Sequence, residues 1–125
     1  MNGSTALPDP AAEALEQQSF MSFQDALRHL TRFMTGTALE NPLDVAAKRI
    51  ESNPAFAQSR LLTRLLAAMS IQRGEFRLEE ISVFDKDTLS VIVALLNTHD
   101  TGAATPADWQ SAVNRAQTAQ FEYDR

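Results

Sequence analysis

The stretch DKDTLSVIVALLN, residues 85–97, decides the fold of this chain. Its large apolar residues cover more than one side of a helix, which is typical of a helix buried at the centre of a bundle. Asp85 is a good N-cap, and the length through Asn97 favours a helix over a strand. A buried strand is the competing interpretation, because Val and Ile are frequent in strands. We predict a central, largely buried helix near residues 86–97.

Proline marks the start of three further helices. Pro42, Pro54 and Pro106 each follow an Asn or a Thr, which are good N-caps, and proline fits the first helical position because its missing N–H would be unpaired there. The helix that begins at Pro54 is predicted to stop before Gly74. The sequence therefore predicts helices that begin near residues 42, 54 and 106.

An earlier helix is indicated by apolar residues at helical spacing, with Ser22 at its start and Gly36 at its stop. Its apolar stripe consists of Phe23, Ala26, Leu27, Leu30, Phe33 and Met34. Residues 75–84 fit either a short helix or an extended segment, and the sequence leaves the two open. A shared core is predicted for Leu30, Phe33, Leu62, Leu65, Leu66, Ile92, Leu95 and Leu96.

The resulting fold class is all-α, a single-domain bundle of five or six short helices. Residues 21–125 form the predicted helical domain. Residues 1–20 are predicted to be a disordered tail, because few of them are large and apolar. Residues 11–18 of that tail could form a short helix if something docks against them.

Composition excludes several classes of protein. The 125 residues carry a formal net charge of −5 and no cysteine, which rules out disulfide scaffolds, zinc-thiolate sites and cysteine nucleophiles. The longest apolar run, residues 91–96, is far shorter than the roughly 20 residues of a membrane span. No basic patch followed by an apolar stretch opens the sequence, which argues against a signal peptide. We expect a cytoplasmic protein, and nine Arg against two Lys suggest a bacterial source.

Catalytic and metal-binding motifs are weakly represented. The two histidines, His29 and His99, are far apart in sequence, and neither has a partner at metal-ligand spacing. Asp85 and Asp87 begin like a calcium loop, but Leu89 stands where the loop needs an oxygen ligand. Phosphate loops need glycine clusters, and the four glycines are scattered. We therefore expect no enzyme activity, no cofactor and no metal site.

Charge is unevenly distributed along the chain. Residues 28–77 carry eight bases and four acids, whereas the segments on either side are acidic. Three arginine pairs spaced by four residues form a candidate basic ridge: Arg28, Arg32, Arg60, Arg64, Arg73 and Arg77. The alternative is that the three segments neutralise one another within the bundle.

This ridge and the order of helices after residue 59 raise the possibility of a trihelical nucleic-acid-binding regulator. The would-be recognition helix argues against it, since residues 87–96 contain no Arg, Lys, Asn or Gln to read base edges. Nucleic acid is therefore the second hypothesis for the partner.

The leading hypothesis is a small acidic module, adaptor or regulatory, that binds another protein of unknown identity. A secreted effector or chaperone-type protein is a further alternative. The candidate interface consists of Phe76, Phe84, Trp109, Val113, Ala116, Phe121 and Tyr123, because aromatic residues are frequent interface anchors. The last helix could also form a homodimer through Trp109, Val113, Ala116, Gln120 and Tyr123, unless this stripe packs on its own bundle.

Overall fold

The computed structural model describes residues 9–34 and 41–125 of the chain. These residues form five α-helices and one 3-10 helix, without any β-strand. The helices are α1 (Pro10–Thr31), α2 (Pro42–Ser52), α3 (Ala57–Ile71), a 3-10 helix (Leu78–Val83), α4 (Lys86–Thr101) and α5 (Pro106–Asp124). The prediction of an all-α, single-domain bundle is confirmed.

Three helices begin where the sequence predicts, because their caps are local. Asn41 accepts a hydrogen bond from the Asp44 amide at 3.2 Å, and α2 begins at Pro42. Thr105 and Asp108 form a capping box at the start of α5. The Asp85 carboxylate accepts from the Thr88 amide at 2.8 Å at the start of α4, so the helical interpretation of residues 86–97 is confirmed over the strand.

Helix α3 begins later than predicted. It starts at Ala57 and not at Pro54, because the Phe56 amide donates to the Asn53 carbonyl at 3.2 Å and closes a turn before the helix. It ends at Ile71, where Gln72 takes a left-handed conformation with φ 64°. The Gln72 side-chain amide donates to the Met69 carbonyl at 2.8 Å, which helps to hold this turn. The helix therefore stops before Gly74, as predicted.

Helix α1 differs most from the prediction. It starts at Pro10, capped by Asp9, so residues 10–20 are helical where we expected a disordered tail, and Ser22 lies within the helix. The helix ends at Thr31, and residues 1–8 and Gly36 lie outside the described residues. The physical reason is a set of contacts with residues 73–76, which lie too far along the chain for local reasoning to find.

These contacts dock the first half of α1. The Gly74 amide donates to the Glu16 carbonyl at 3.2 Å. The Ser19 hydroxyl accepts from the Phe76 amide at 2.9 Å and donates to the Phe76 carbonyl at 3.1 Å. Arg73 and Glu13 form an ion pair at 2.6 Å. The segment after α3 therefore supplies the docking partner that residues 11–18 needed.

Within residues 75–84, an extended segment precedes the 3-10 helix. Phe84, which follows that helix, is buried. The core contains Leu62, Leu65, Leu66, Ile92, Leu95 and Leu96, as predicted. Leu30 and Phe33 are exposed, so that part of the core prediction is wrong. Helix α1 buries the face that carries Phe20, Phe23, Leu27 and Thr31, which turns Leu30 and Phe33 away from the bundle.

Candidate functional site

Most of the predicted interface residues lie inside the bundle. Phe84, Trp109, Val113 and Ala116 are buried, and Phe76 is half-buried. The stripe on α5 that we proposed for a homodimer packs against the chain's own core, as the alternative interpretation held. Four of these five side chains therefore contribute to the core of the bundle, and Phe76 packs against it.

Two of the predicted interface residues are exposed, near the end of α5. Phe121 is 68% exposed and Tyr123 is 56% exposed. The Arg60 guanidinium lies 5.9 Å from the centre of the Tyr123 ring, so this ring has a partner in its own chain. Phe121 is a single exposed apolar side chain on its side of α5, which is common on protein surfaces.

Five of the six arginines of the basic ridge form ion pairs with the acidic segments of the chain. Five pairs join Arg28 to Asp100, Arg60 to Asp124, Arg64 to Glu80, Arg73 to Glu13 and Arg77 to Glu79. The Arg32 guanidinium lies 4.6 Å from the centre of the Phe33 ring. The six arginines therefore do not form one continuous basic surface.

Three of these pairs are bidentate: Arg64 contacts both oxygens of Glu80, and the other two pairs join parts of the chain that are far apart in sequence. Arg28 contacts both oxygens of Asp100, and Arg60 contacts both oxygens of Asp124. The hydrogen bonds from the arginines lower the pKa of the Asp100 and Asp124 carboxyls below the usual range. The uneven charge of the sequence thus contributes to contacts within the bundle.

Sequence reasoning missed a further cluster around Arg115. Its guanidinium contacts the Asp44 carboxylate at 2.8 Å and the Glu51 carboxylate at 2.7 Å, which ties α5 to α2. Hydrogen bonds from Arg115 lower the pKa of both carboxyls. Only the packing of α2 against α5 brings these three residues together, so no spacing in the sequence could reveal them.

A cleft of about 420 Å³ lies between α2, the start of α3 and the start of α4. Its polar wall is a hydrogen-bonded network of Arg49, Gln58, Asp85 and Thr88. Arg49 Nε donates to the Thr88 hydroxyl at 3.1 Å, and that hydroxyl donates to Gln58 Oε1 at 2.8 Å. Gln58 Nε2 donates to the Asp85 carboxylate at 3.0 Å. Sequence analysis identified only Asp85 in this group, as a cap.

The hydrogen bonds of this network join the start of α3 to the start of α4. The Thr88 amide and the Gln58 side chain lower the pKa of Asp85 to about 2. A carboxylate of such low pKa is a poor general base near neutral pH. Asp85 therefore caps α4 and holds the start of α3 beside it.

The strongest candidate for a binding surface is the outward side of α1. We name as the outer face five residues of α1 and Phe33 in the turn after it: Ala11, Leu15, Ser22, Ala26, Leu30 and Phe33. Leu15 is 67% exposed, Leu30 is 50% exposed and Phe33 is 86% exposed. None of these six residues is charged, and the exposed Asp25 and His29 lie beside them on the same side of α1. Sequence analysis missed the outer face because it assigned Leu30 and Phe33 to the core.

The two histidines lie in different environments. His99, on α4, contacts the Gln72 side chain, and its ring meets the Trp109 ring edge-on at 5.7 Å between centres. His29, on α1, is exposed. Over residues 9–34 and 41–125, no group of three or more His, Asp or Glu side chains is arranged to hold a metal ion.

Helices in the described part of the chain all fall short of the length or apolarity that crossing a membrane requires. Comparison of the chain with known protein families, with curated proteins and with solved structures found no match.

Proposed function

We propose that this protein is a small helical protein–protein interaction module, adaptor or regulatory in type, that binds its partner through the outer face of α1. The observation that carries the proposal is the exposure of the large apolar side chains Leu15, Leu30 and Phe33 on the outer face. Exposed apolar side chains that share one face are typical of interaction sites, because leaving them in water is unfavourable. The proposal places the module in the cytoplasm.

Phe33 is the anchor that this proposal predicts. Its ring is almost fully accessible at 86% exposure, and aromatic rings supply the largest contact area per side chain at interfaces. The Arg32 guanidinium beside the ring would lie at the rim of the interface, where charged groups are commonly found. Leu15, about four turns before Leu30, would be the second contact.

The nucleic-acid hypothesis has less support from the geometry. Phosphate binding by Arg28, Arg60 or Arg64 would compete with ion pairs to Asp100, Asp124 and Glu80. A protein partner on the outer face would disturb none of these three pairs, because it would contact uncharged side chains.

Site-specific photo-crosslinking tests the proposal. A photoreactive amino acid is placed at position 33, at position 15 or at position 121, and each protein is exposed to a lysate of its native cells before irradiation. Position 121 is the control, because Phe121 is exposed to a similar degree as Leu15 but lies on α5.

We expect protein adducts of defined mass from positions 33 and 15 that are absent from position 121. The same adducts should be lost when the other outer-face residue is changed, for example Leu15→Glu in the protein crosslinked at 33. Adducts of equal yield at all three positions, or none at 33 and 15, would refute the proposal.

A further inference from the structure

The geometry points to the cleft between α2, α3 and α4 as a binding site for a small organic anion. The carboxylate or phosphate group of this ligand would bind at the start of α3, and its apolar part would contact Phe56. This site is separate from the outer face of α1, and neither site depends on the other. At about 420 Å³, the cleft has the size of pockets that hold small molecules.

The side chain of Ser59 is the first observation that points to a ligand. Ser59 lines the cleft from the first turn of α3 and is only 5% exposed. Its hydroxyl forms no hydrogen bond within the described part of the chain, whereas the buried hydroxyls of Thr31, Thr63 and Thr88 all have partners. Among the described residues, the unpaired side-chain atom that is fully enclosed is Gln24 Nε2, so the Ser59 oxygen keeps access to the cleft. A buried hydroxyl without a partner is uncommon, and a ligand in the cleft would supply one.

The first turn of α3 adds backbone donors beside this hydroxyl. The N-cap of α3 is Phe56, whose side chain accepts no hydrogen bond, and the Arg60 amide donates to the Phe56 carbonyl at 3.0 Å. The amides of Gln58 and Ser59, which come before Arg60, have no acceptor among the residues that the structure describes. The first turn also contains no acid. Such amides carry partial positive charge and bind anions, so this turn offers donors that a carboxylate or phosphate would pair.

Arg49 brings a full positive charge to the cleft from α2. Its Nε donates to the Thr88 hydroxyl at 3.1 Å, and one of its terminal nitrogens lies 3.6 Å from the Asp85 carboxylate, which is too far for a hydrogen bond. Lys48 also lines the cleft and pairs with Asp44 at 3.1 Å. The two cations outnumber the single lining carboxylate, that of Asp85. Guanidinium groups bind carboxylates and phosphates through paired N–H donors, so the terminal nitrogens of Arg49 suit the same ligand.

Apolar side chains complete the lining and indicate that the ligand is an organic anion. Val45, Phe56 and Leu62 all line the cleft, and the Phe56 ring is 56% exposed. Sites for small molecules combine apolar and aromatic lining with a few polar groups that fix the orientation of the ligand. An anion with a short apolar or aromatic part would therefore bind more tightly than an inorganic anion.

Amide NMR titration of the full chain at constant ionic strength tests the proposal. The probes are phenyl phosphate, benzoate, inorganic phosphate and, as an uncharged control, benzyl alcohol. We expect the Gln58 and Ser59 amide signals to shift and saturate at about millimolar phenyl phosphate or benzoate, as for other ligands of about ten heavy atoms. Inorganic phosphate should shift the same signals with weaker affinity. The tighter of the two aromatic anions identifies the charged group as phosphate or carboxylate.

Two substitutions remove the proposed donors. Ser59→Ala deletes a hydroxyl that has no partner in the described structure, so it should leave the fold intact and weaken binding about tenfold. Arg49→Gln should weaken binding at least as much, and circular dichroism checks its fold because it also loses the hydrogen bond to Thr88. Ser22→Ala, at an exposed serine of α1, is the matched control and should leave the affinity unchanged.

Substitution of Phe56 tests the two parts of the site separately. Phe56→Asp places a carboxylate at the N-cap, where it can accept from the amides of Gln58 and Ser59. This variant should raise the urea midpoint and no longer bind inorganic phosphate. Phe56→Ala keeps the amides available, so it should still bind inorganic phosphate but lose the preference for aromatic anions.

Three results would each overturn the site. The first is the absence of saturable shifts at residues 58 and 59 with every anion. The second is an equal response to benzyl alcohol, which would show that the cleft does not select a charged group. The third is an unchanged affinity in Ser59→Ala.

Discussion

The rings of Phe23 and Phe76 stack with their centres 4.4 Å apart and their planes within 15°. Phe23 is fully buried on α1, and Phe76 precedes the 3-10 helix. The Arg64 guanidinium lies 5.1 Å from the centre of the Phe76 ring. This stack joins α1 to the segment after α3, next to the hydrogen bonds that hold residues 16 and 19. Together, the stack and these hydrogen bonds explain why α1 begins at Pro10 and not at Ser22, where the local sequence predicts its start.

Replacing Phe76 by Ala should release the first half of α1. We expect a loss of about 2–4 kcal/mol in the free energy of unfolding, somewhat less than for a fully buried Phe. Urea denaturation measures this loss, and amide exchange should accelerate for residues 10–19 more than for α4. The exposed Phe121→Ala is the control and should change stability by less than about 0.5 kcal/mol. Unchanged exchange in residues 10–19 would show that the stack does not dock the helix.

Gln24 is a site where a substitution should stabilise the protein. Its side chain is buried on α1, and its Nε2 finds no hydrogen-bond partner among the described residues. An unpaired buried polar group costs about 1–3 kcal/mol, so Gln24→Met should raise the free energy of unfolding by about 1 kcal/mol.

Gln58→Met is the matched comparison for this substitution. Gln58 accepts from the Asp85 amide at 3.0 Å and from the Thr88 hydroxyl at 2.8 Å, so its loss should destabilise the protein. The two variants should therefore shift the urea midpoint in opposite directions. A lower midpoint for Gln24→Met would contradict the assignment of Gln24 as unpaired.

Asp85 should make stability depend on acid. Its pKa falls from 3.8 to about 2 on folding, so its contribution is fully present above pH 3.8 and is lost as the pH falls toward 2. Asp85→Ala should cost about 0.5–2 kcal/mol at pH 7, the usual effect of removing an N-cap. The difference from the wild type should shrink as the pH falls from 4 to 2. Asp87→Ala, in the same turn, is the control and should cost less at pH 7.

The core prediction now separates into two groups of side chains. Leu65 and Ile92 are fully buried, so truncating either to Ala should cost about 2–5 kcal/mol in the free energy of unfolding. Leu30→Ala on the outer face should cost less than about 0.5 kcal/mol. Thermal or urea unfolding of the three variants distinguishes the buried group from the exposed one. A large loss for Leu30→Ala would mean that α1 buries a different face.

The sequence alone determined those features of the protein that depend on neighbouring residues. The starts of α2, α4 and α5 follow from Asn41, Asp85 and Thr105, because an N-cap contacts amides only two or three residues ahead. The buried character of α4 follows from its uninterrupted apolar run. The all-α class follows from these helices together.

Tertiary structure decided everything that depends on residues far apart in the chain. Residues 10–20 are helical because residues 73–76 dock against them, and Arg115 finds Asp44 and Glu51 only across α2 and α5. Apolar spacing showed that α1 has an apolar stripe but not which part of it faces the core. Phe20 and Phe23 face inward and pack against Phe76, whereas Leu30 and Phe33 are exposed. A helix can bury only one side against its neighbours, and only the neighbours decide which side that is.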